Sequence, residues 1–345
     1  MVRSDCSSRK DDNDSEARAS QACATPWVTG APLRSGVSIP ASDLTPTLVT
    51  RWLSDALAAR YRYVGRFDGG ETGAFEVAGP DDERLVLKWN TRASACASRA
   101  RAVALTDRLR REGGWPVPHQ RVVELTLAGT LIDAPVPNDA GRCQVILQEH
   151  LPGEPIATLT ISLASQLTGL LRSSRGLGRP PDAAPLGDTV IETLVAGGQG
   201  YCLHEPMRTY DRRTRRLIER IEAIGRSARQ APPSTASDIV HYDLHAGNVL
   251  VLDDQVTGII DTEYATVGDG GFDLVALAVC APNHHPDPGV DDVLWNAVDA
   301  QVAEPWRTVF VAHMLLRNVD WAIRNHGAHD VERWLREAHR LLPPR

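Results

Sequence analysis

The sequence predicts an α+β fold in two lobes, a β-rich amino half and a mainly helical carboxyl half. Three observations carry this expectation. First, Tyr61–Phe67, Ala74–Val77 and Leu85–Trp89 are short strand-like runs. The stretches that join them, Asp68-Gly-Gly-Glu-Thr-Gly73 and Gly79-Pro-Asp-Asp82, are good turn chemistry. Second, Leu151-Pro-Gly-Glu-Pro155 interrupts the chain where neither a helix nor a central strand tolerates prolines. Third, apolar residues beyond that point recur at helical spacing. A length of 345 residues with 42% hydrophobic content is enough to bury the core such a fold needs.

Taken in order, residues 1–42 are rich in Ser, Ala, Asp, Arg and Gly without sustained periodicity and read as a disordered arm. The amino lobe spans 43–150. Thr45 is a fitting N-cap with Pro46 at the first helical position, and Leu48, Trp52, Leu53, Leu57 and Ala58 make the apolar stripe of a helix. After the three strands, a helix from about Ala93 to Glu112 stops at Gly113-Gly114, and Pro116 and Pro118 forbid its continuation. Val122–Thr126 and Gln144–Glu149 read as strands around a loop at Asp133–Gly141. The carboxyl lobe spans 151–345. Its helices are expected at Leu163–Leu171, Thr189–Ala196, Thr209–Ile224 and Asp292–Gln301, with a long pair from Trp306 to Leu342 and a flexible loop at Arg175–Gly187. The two lobes imply a cleft between them, where small ligands usually sit.

Composition narrows the function classes. A net charge of −7 and a pI near 5.9 give no bulk attraction to nucleic acid or an anionic membrane, and suit a cationic small substrate better. Six cysteines are scattered without a C-x-x-C pair, which reads as reduced thiols, not a disulfide framework or zinc site. The first residues lack the apolar core of a secretory signal, and no apolar window is long enough to span a bilayer. A cytoplasmic location is expected.

The chemistry is concentrated in His241-Tyr-Asp-Leu-His-Ala-Gly-Asn248, the apolar run Val249–Leu252 and Ile259-Ile260-Asp261. Asp243 sits in a tight loop, Asn248 at the loop's far end, and Asp261 at the end of a strand. One carboxylate can orient a hydroxyl nucleophile, while an amide oxygen and a second carboxylate can hold Mg²⁺. This division of labour points to phosphoryl transfer from a nucleotide to an alcohol. In the turn between the first strands, the amides around Gly69, Gly70 and Thr72 could face a triphosphate; the plain alternative is an ordinary hairpin. Lys88 lies on an apolar strand where an ammonium is costly to desolvate without an anion, and phosphate contact supplies one; a solvated edge lysine is the alternative. His241, Asp243 and His245 alternate and could ligate zinc, but that reading leaves Lys88, Asn248 and Asp261 unexplained. The run His284–Asp287 is expected to be an exposed loop, and the arginines of 212–220 the solvated face of an amphipathic helix.

These motifs resemble the aminoglycoside phosphotransferase and choline-kinase family of the protein-kinase-like fold. That family's signature reads His-Gly-Asp-Leu-His-x-Gly-Asn, then Ile-Asp-Trp-Glu, Gly-Asp-Pro and Asp-Leu-Ala. Here the counterparts are His241–Asn248, Ile260-Asp-Thr-Glu263, Gly268-Asp-Gly270 and Asp273-Leu-Val-Ala276, with Trp115-Pro-Val-Pro118 and Leu151–Pro155 as connector and hinge. The resemblance covers about 45–345. It implies Asp243 as the catalytic carboxylate, Asn248 and Asp261 as Mg²⁺ ligands and Lys88 on the phosphates of ATP. Adenine would lie along the backbone of the hinge from Glu149 to Leu151. His241 would brace the loop, and Asp273 would fix backbone amides around it. The implied reaction is transfer to a hydroxyl of a small molecule, with an aminoglycoside or other antibiotic as the leading acceptor, in resistance or self-protection. A metabolite kinase acting on choline, homoserine, a sugar or a nucleoside-type acceptor is the alternative, and a nucleotide-binding pseudokinase a further one.

Three departures bear on that reading. Tyr242 replaces the usual glycine and is expected to crowd or stack on the acceptor site. Thr262 replaces the usual tryptophan. The helix after Lys88 runs Arg99–Asp107 with no glutamate to pair the lysine, so Asp107 is the nearest acid able to do so. Among acids in the region where relatives bind acceptor, Asp291, Asp292, Asp299, Glu304 and Asp320 are candidates to meet substrate.

Overall fold

A computed structural model of the protein describes residues 44–67, 73–91, 93–126, 142–178 and 186–342. The arm at 1–42, the turn residues Gly69, Gly70 and Thr72, and the loop expected at Asp133–Gly141 lie outside the described residues.

The amino lobe begins with α1 (Pro46–Leu57), started as expected by Thr45, whose hydroxyl accepts the Leu48 N–H at 3.3 Å. Strands β1 (Arg62–Arg66), β2 (Phe75–Ala78) and β3 (Arg84–Asn90) precede α2 (Ala93–Gly113), then β4 (Gln120–Thr126) and β5 (Arg142–Glu149). They form one antiparallel sheet in the order β1-β2-β3-β5-β4. Its inner position suits β5, whose Cys143, Val145, Ile146 and Leu147 are all buried. Val49, Trp52 and Leu53 of α1 share a core with Val77, Leu87, Val123, Val145 and Leu147. Because side chains alternate along a strand, Leu87 in that core sends its neighbour Lys88 to the opposite face of β3.

Trp115 stitches this lobe to the next. Its ring is buried in the carboxyl core, its Nε1–H donates to Leu170 O at 2.9 Å, and Pro116 O accepts the Ile259 N–H at 2.8 Å. The carboxyl lobe continues through β6 (Glu154–Pro155), α3 (Ile161–Ser173), α4 (Leu186–Ala196), α5 (His204–Tyr210) and α6 (Arg212–Ala228). The strands β7 (Asp238–Val240), β8 (Val249–Leu252), β9 (Gln255–Ile259) and β10 (Thr266–Gly268) follow. Four helices close the chain: α7 (Gly271–Cys280), α8 (Val290–Gln301), α9 (Trp306–Asn325) and α10 (Ala328–Leu341). β7 pairs antiparallel with β10, while β6, β8 and β9 make a second small sheet. The candidate site is thus held between two short sheets, with α7 buried along its length beneath them. Among the described residues, no helix is long and apolar enough to cross a membrane.

The structure corrects the helix expected at Thr209–Ile224, which is two helices broken at Asp211. That residue is extended (φ −153°, ψ 179°), and its carboxylate accepts the N–H groups of Arg213 and Thr214 at 2.7 and 2.8 Å. Thr214 Oγ1 in return accepts the Asp211 N–H at 3.1 Å. Aspartate competes with the helical backbone in a helix interior and satisfies it at an N-terminus, so the break falls there. Replacing Asp211 with Ala should lower stability by about 1 kcal/mol, read from urea or thermal unfolding, whereas Asp211→Asn should retain most of it because an amide oxygen still accepts.

Candidate active site

The loop between β7 and β8 is built around a buried imidazole. His241 Nδ1 accepts the Asp243 N–H at 3.2 Å, and Nε2 lies 2.8 Å from Ile260 O, to which it donates. Burial lowers its pKa, so the ring stays neutral with its proton on Nε2. Both nitrogens are occupied, which removes His241 as a zinc ligand. Among the described residues no cluster of three His, Cys, Asp or Glu could hold a metal ion. The imidazole joins the start of the loop to the end of β9, and the Ile260 N–H to Asn248 O contact at 2.9 Å joins its far end to the same strand. Asp243, Asn248 and Asp261 are brought together by these bonds.

Asp273, on α7, grips the loop from below. One oxygen accepts the His241 N–H at 2.6 Å and the other the Tyr242 N–H at 2.9 Å. Burial pushes its carboxyl up to about 7 despite these two donors. Tyr242 has φ +73°, a left-handed backbone that favours glycine. Its ring stacks on Phe272 at 5.0 Å between centroids, its hydroxyl lies 2.8 Å from the Tyr201 hydroxyl, and the residue is buried. A positive φ turns the side chain to the side opposite its neighbours, here into the apolar core.

Asn248 donates from Nδ2 to Asp243 O at 2.9 Å, which leaves Oδ1 as the atom it can offer a cation. Asp261, at the end of β9, is also left-handed (φ 60°), and its carboxylate is 44% exposed. Both offer only oxygen, which suits Mg²⁺. Lys88 Nζ contacts Asp261 Oδ1 and lies 2.8 Å from Glu263 Oε1. Burial opposes its charge, but Glu263 and Asp261 outweigh burial and hold the ammonium above its ordinary pKa.

The expected Asp107 partnership is thereby corrected. Asp107 is bound to Arg110 and Arg111 on its own helix, at 2.7 and 2.8 Å. Glu263 takes the lysine instead, and Arg99 of α2 reaches its other oxygen at 2.7 Å. The helix carries a cation where the family resemblance implies an acid. Sequence reasoning missed Glu263 as a partner because it lies 175 positions beyond Lys88, although it stands in the Ile-Asp-x-Glu motif. The other departure, Thr262, is buried and accepts Gln120 Nε2 at 3.0 Å, tying β4 to the same segment.

Arg317 was also missed. It lies on α9 in the run Val309–Val319, otherwise mostly buried, and donates from Nη2 to Asp243 Oδ1 at 2.6 Å and from Nη1 to Tyr242 O at 3.1 Å. The signal was the one that picked out Lys88, a cation inside an apolar stretch. His245 lies beside them, its Nε2 4.0 Å from Asp243 Oδ1 and its ring 6.0 Å from that of His284. His284 is therefore packed against the loop, and only His285 and Asp287 of the expected loop are exposed. At the hinge, the N–H groups of Glu149 and His150 bind His119 O and Arg84 O. Among the described residues, the Leu151 N–H makes no such backbone bond.

Three of the five acids expected near an acceptor have arginine partners. Asp320 is fully buried and pairs with Arg324 at 2.8 Å, Asp299 with Arg307 at 3.0 Å and Asp291 with Arg340 at 3.7 Å, while Asp292 is exposed. Glu304 lines a groove of about 1220 Å³ between α6, α9 and α10, which contains no residue of the Asp243 loop.

A five-stranded sheet over a helical lobe, with this loop at their junction, is the protein-kinase-like fold. Residues 64–308 match the phosphotransferase enzyme family, and the chain belongs to that family; it is a small-molecule phosphotransferase. No curated protein matches the sequence. Among solved structures it is similar to aminoglycoside phosphotransferase APH(4)-Ia in a ternary complex with ADP and hygromycin B (12% identity, 85% of this chain and 97% of that one, TM-score 0.57). It is also similar to a microcompartment-associated aminopropanol kinase (14%, 84% and 94%, TM-score 0.54). A third similar structure, from Thermobifida fusca, is described as a fructosamine-3-kinase (18%, 87% and 100%, TM-score 0.52). At such identities the likeness is one of fold.

The charge cluster generates a stability test. Glu263→Gln leaves Lys88 and Arg99 short of their shared anion and should cost about 3–5 kcal/mol in ligand-free unfolding. Adding Lys88→Met should recover part of that loss, since the two positions are coupled. Asp107→Asn should change stability by no more than about 0.5 kcal/mol.

Proposed function

We propose that the protein is an ATP- and Mg²⁺-dependent O-phosphotransferase that phosphorylates a hydroxyl of a small molecule. The observation that carries this reading is the stitching of Asp243, Asn248 and Asp261 onto one loop and one strand end, with Lys88 held against Asp261. A nucleotide would lie in the cleft, its adenine edge on the Leu151 N–H and its phosphates against Lys88 and the turn at Gly69, Gly70 and Thr72. Asn248 Oδ1 and Asp261 would hold Mg²⁺, which when bound neutralises phosphate charge. On this reading 43–150 is the nucleotide-binding lobe, 151–345 carries the catalytic loop and acceptor site, and the protein works in the cytoplasm.

Asp243 accepts a hydrogen bond from the acceptor O–H and so aims the oxygen at the γ-phosphorus. A new O–P bond forms as the bond to the β–γ bridging oxygen breaks, ADP leaves, and the acceptor proton passes to Asp243. Catalysis of this kind is chiefly positioning and charge neutralisation. The buried bonds of His241 and Asp273 serve the positioning by removing freedom from the loop.

An antibiotic hydroxyl, in resistance or self-protection, remains the leading acceptor, and the fold shared with a hygromycin B complex supports it. A metabolite alcohol such as choline, homoserine, a sugar or a nucleoside-type compound is the alternative acceptor. Phosphoproduct mass after incubation with Mg²⁺, ATP and a panel of antibiotics and metabolite alcohols decides between them; ATP binding without turnover on any of them would favour a pseudokinase.

Asp243→Ala should cut turnover by about 10²–10⁴-fold with little change in nucleotide affinity; retention of a tenth of wild-type turnover would contradict the role given to Asp243. Activity should vanish with EDTA and return with Mg²⁺, and elemental analysis should find no stoichiometric zinc; tightly held zinc would overturn the assignment.

A further inference from the structure

The guanidinium of Arg317 takes no direct part in the proposed transfer, yet it lies 2.6 Å from Asp243 Oδ1. It is held on both sides. Nη1 binds Tyr242 O at 3.1 Å while Nη2 binds Asp243 Oδ1, so two adjacent residues of the loop are read by one rigid fork. The fork comes from α9, outside the loop, and its side chain is 24% exposed, as is that of Asp243. With Oδ1 taken, Oδ2 is the oxygen left for an incoming hydroxyl.

We infer that Arg317 is a positioning residue for phosphoryl transfer, fixing the rotation of the Asp243 carboxylate so that one oxygen meets the acceptor. The inference rests on the proposed function. Without the fork, Asp243 can turn about its side-chain bonds in a half-open cleft, and the oxygen that should aim the nucleophile is spread over several directions. Lysine cannot substitute. It carries the charge but reaches one acceptor at a time and imposes no plane. His245, the other cation-forming group nearby, is 4.0 Å from the same oxygen, and burial lowers its pKa, so it does not replace the fork.

The experiment measures ADP release from MgATP by the full-length protein, with water as acceptor, in the wild type, Asp243→Asn, Arg317→Met and Arg317→Lys. Thermal unfolding is followed in each. Arg317→Met should lower kcat by about 10²-fold while KM for ATP stays within about twofold, and guanidinium chloride at non-denaturing concentration should restore part of the rate. Arg317→Lys should lower kcat by about tenfold with the same KM, and it supplies the test if the Met variant does not fold. A kcat unchanged in Arg317→Lys, or a loss in Arg317→Met that follows only its folded fraction and is not rescued by guanidinium, overturns the inference alone. No transfer by the wild type to water or to any acceptor of the panel, or a rate unaffected by Asp243→Asn, overturns the function reading and the inference with it.

Discussion

A lysine on the amino lobe meets a glutamate on the carboxyl lobe with both side chains 9% exposed, and the geometry of the cleft follows from what that contact demands. Neither charge could be buried alone. Lys88 stands on a strand whose other face is the α1 core, and Glu263 just past the end of β9, so one ion pair links the two lobes. Arg99 supplies a second counter-charge, so Glu263 lies between two cations. Asp261, two residues before Glu263, is drawn into the same cluster and so is presented to the cleft.

The loop beneath obeys a different constraint, one of backbone conformation. Left-handed φ at Tyr242 costs about 1–2 kcal/mol for a residue with a Cβ. The conformation persists because Asp273 accepts two consecutive N–H groups that only this turn points the same way. The tyrosine returns part of the cost by burying its ring against Phe272, a stacked pair worth about 0.5–1.5 kcal/mol beyond its area. A glycine would relax the strain and lose the packing, so the two residues are alternative solutions to one backbone shape.

What was legible in the sequence was whatever local chemistry determines. Thr45 and Pro46 start α1 as read, the turns and apolar runs mark β1 to β3, and the Asp243–Asn248–Asp261 spacing locates the loop. β6, β7 and β10, of two or three residues each, are too short to show a period and exist because their partners pair with them. α7 is buried on every side, so its apolar run has no polar stripe to reveal a helix. In the site, the residues missed were those whose partners lie far off in sequence. Glu263 and Arg317 have no local signature beyond being charges in apolar surroundings. Residue type alone likewise did not reveal the positive φ of Tyr242 or the packing of its ring on Phe272.

The cation on α2 changes the order in which the lysine is held, since the helix reaches it only through an acid of the other lobe. Here α2 holds Glu263, and Glu263 holds the lysine. Displacing α2 would strip away Arg99 and leave the lysine anchored to the carboxyl lobe. The lysine's anchor lies across the cleft, so relative motion of the lobes acts on it directly and motion of α2 only through Glu263.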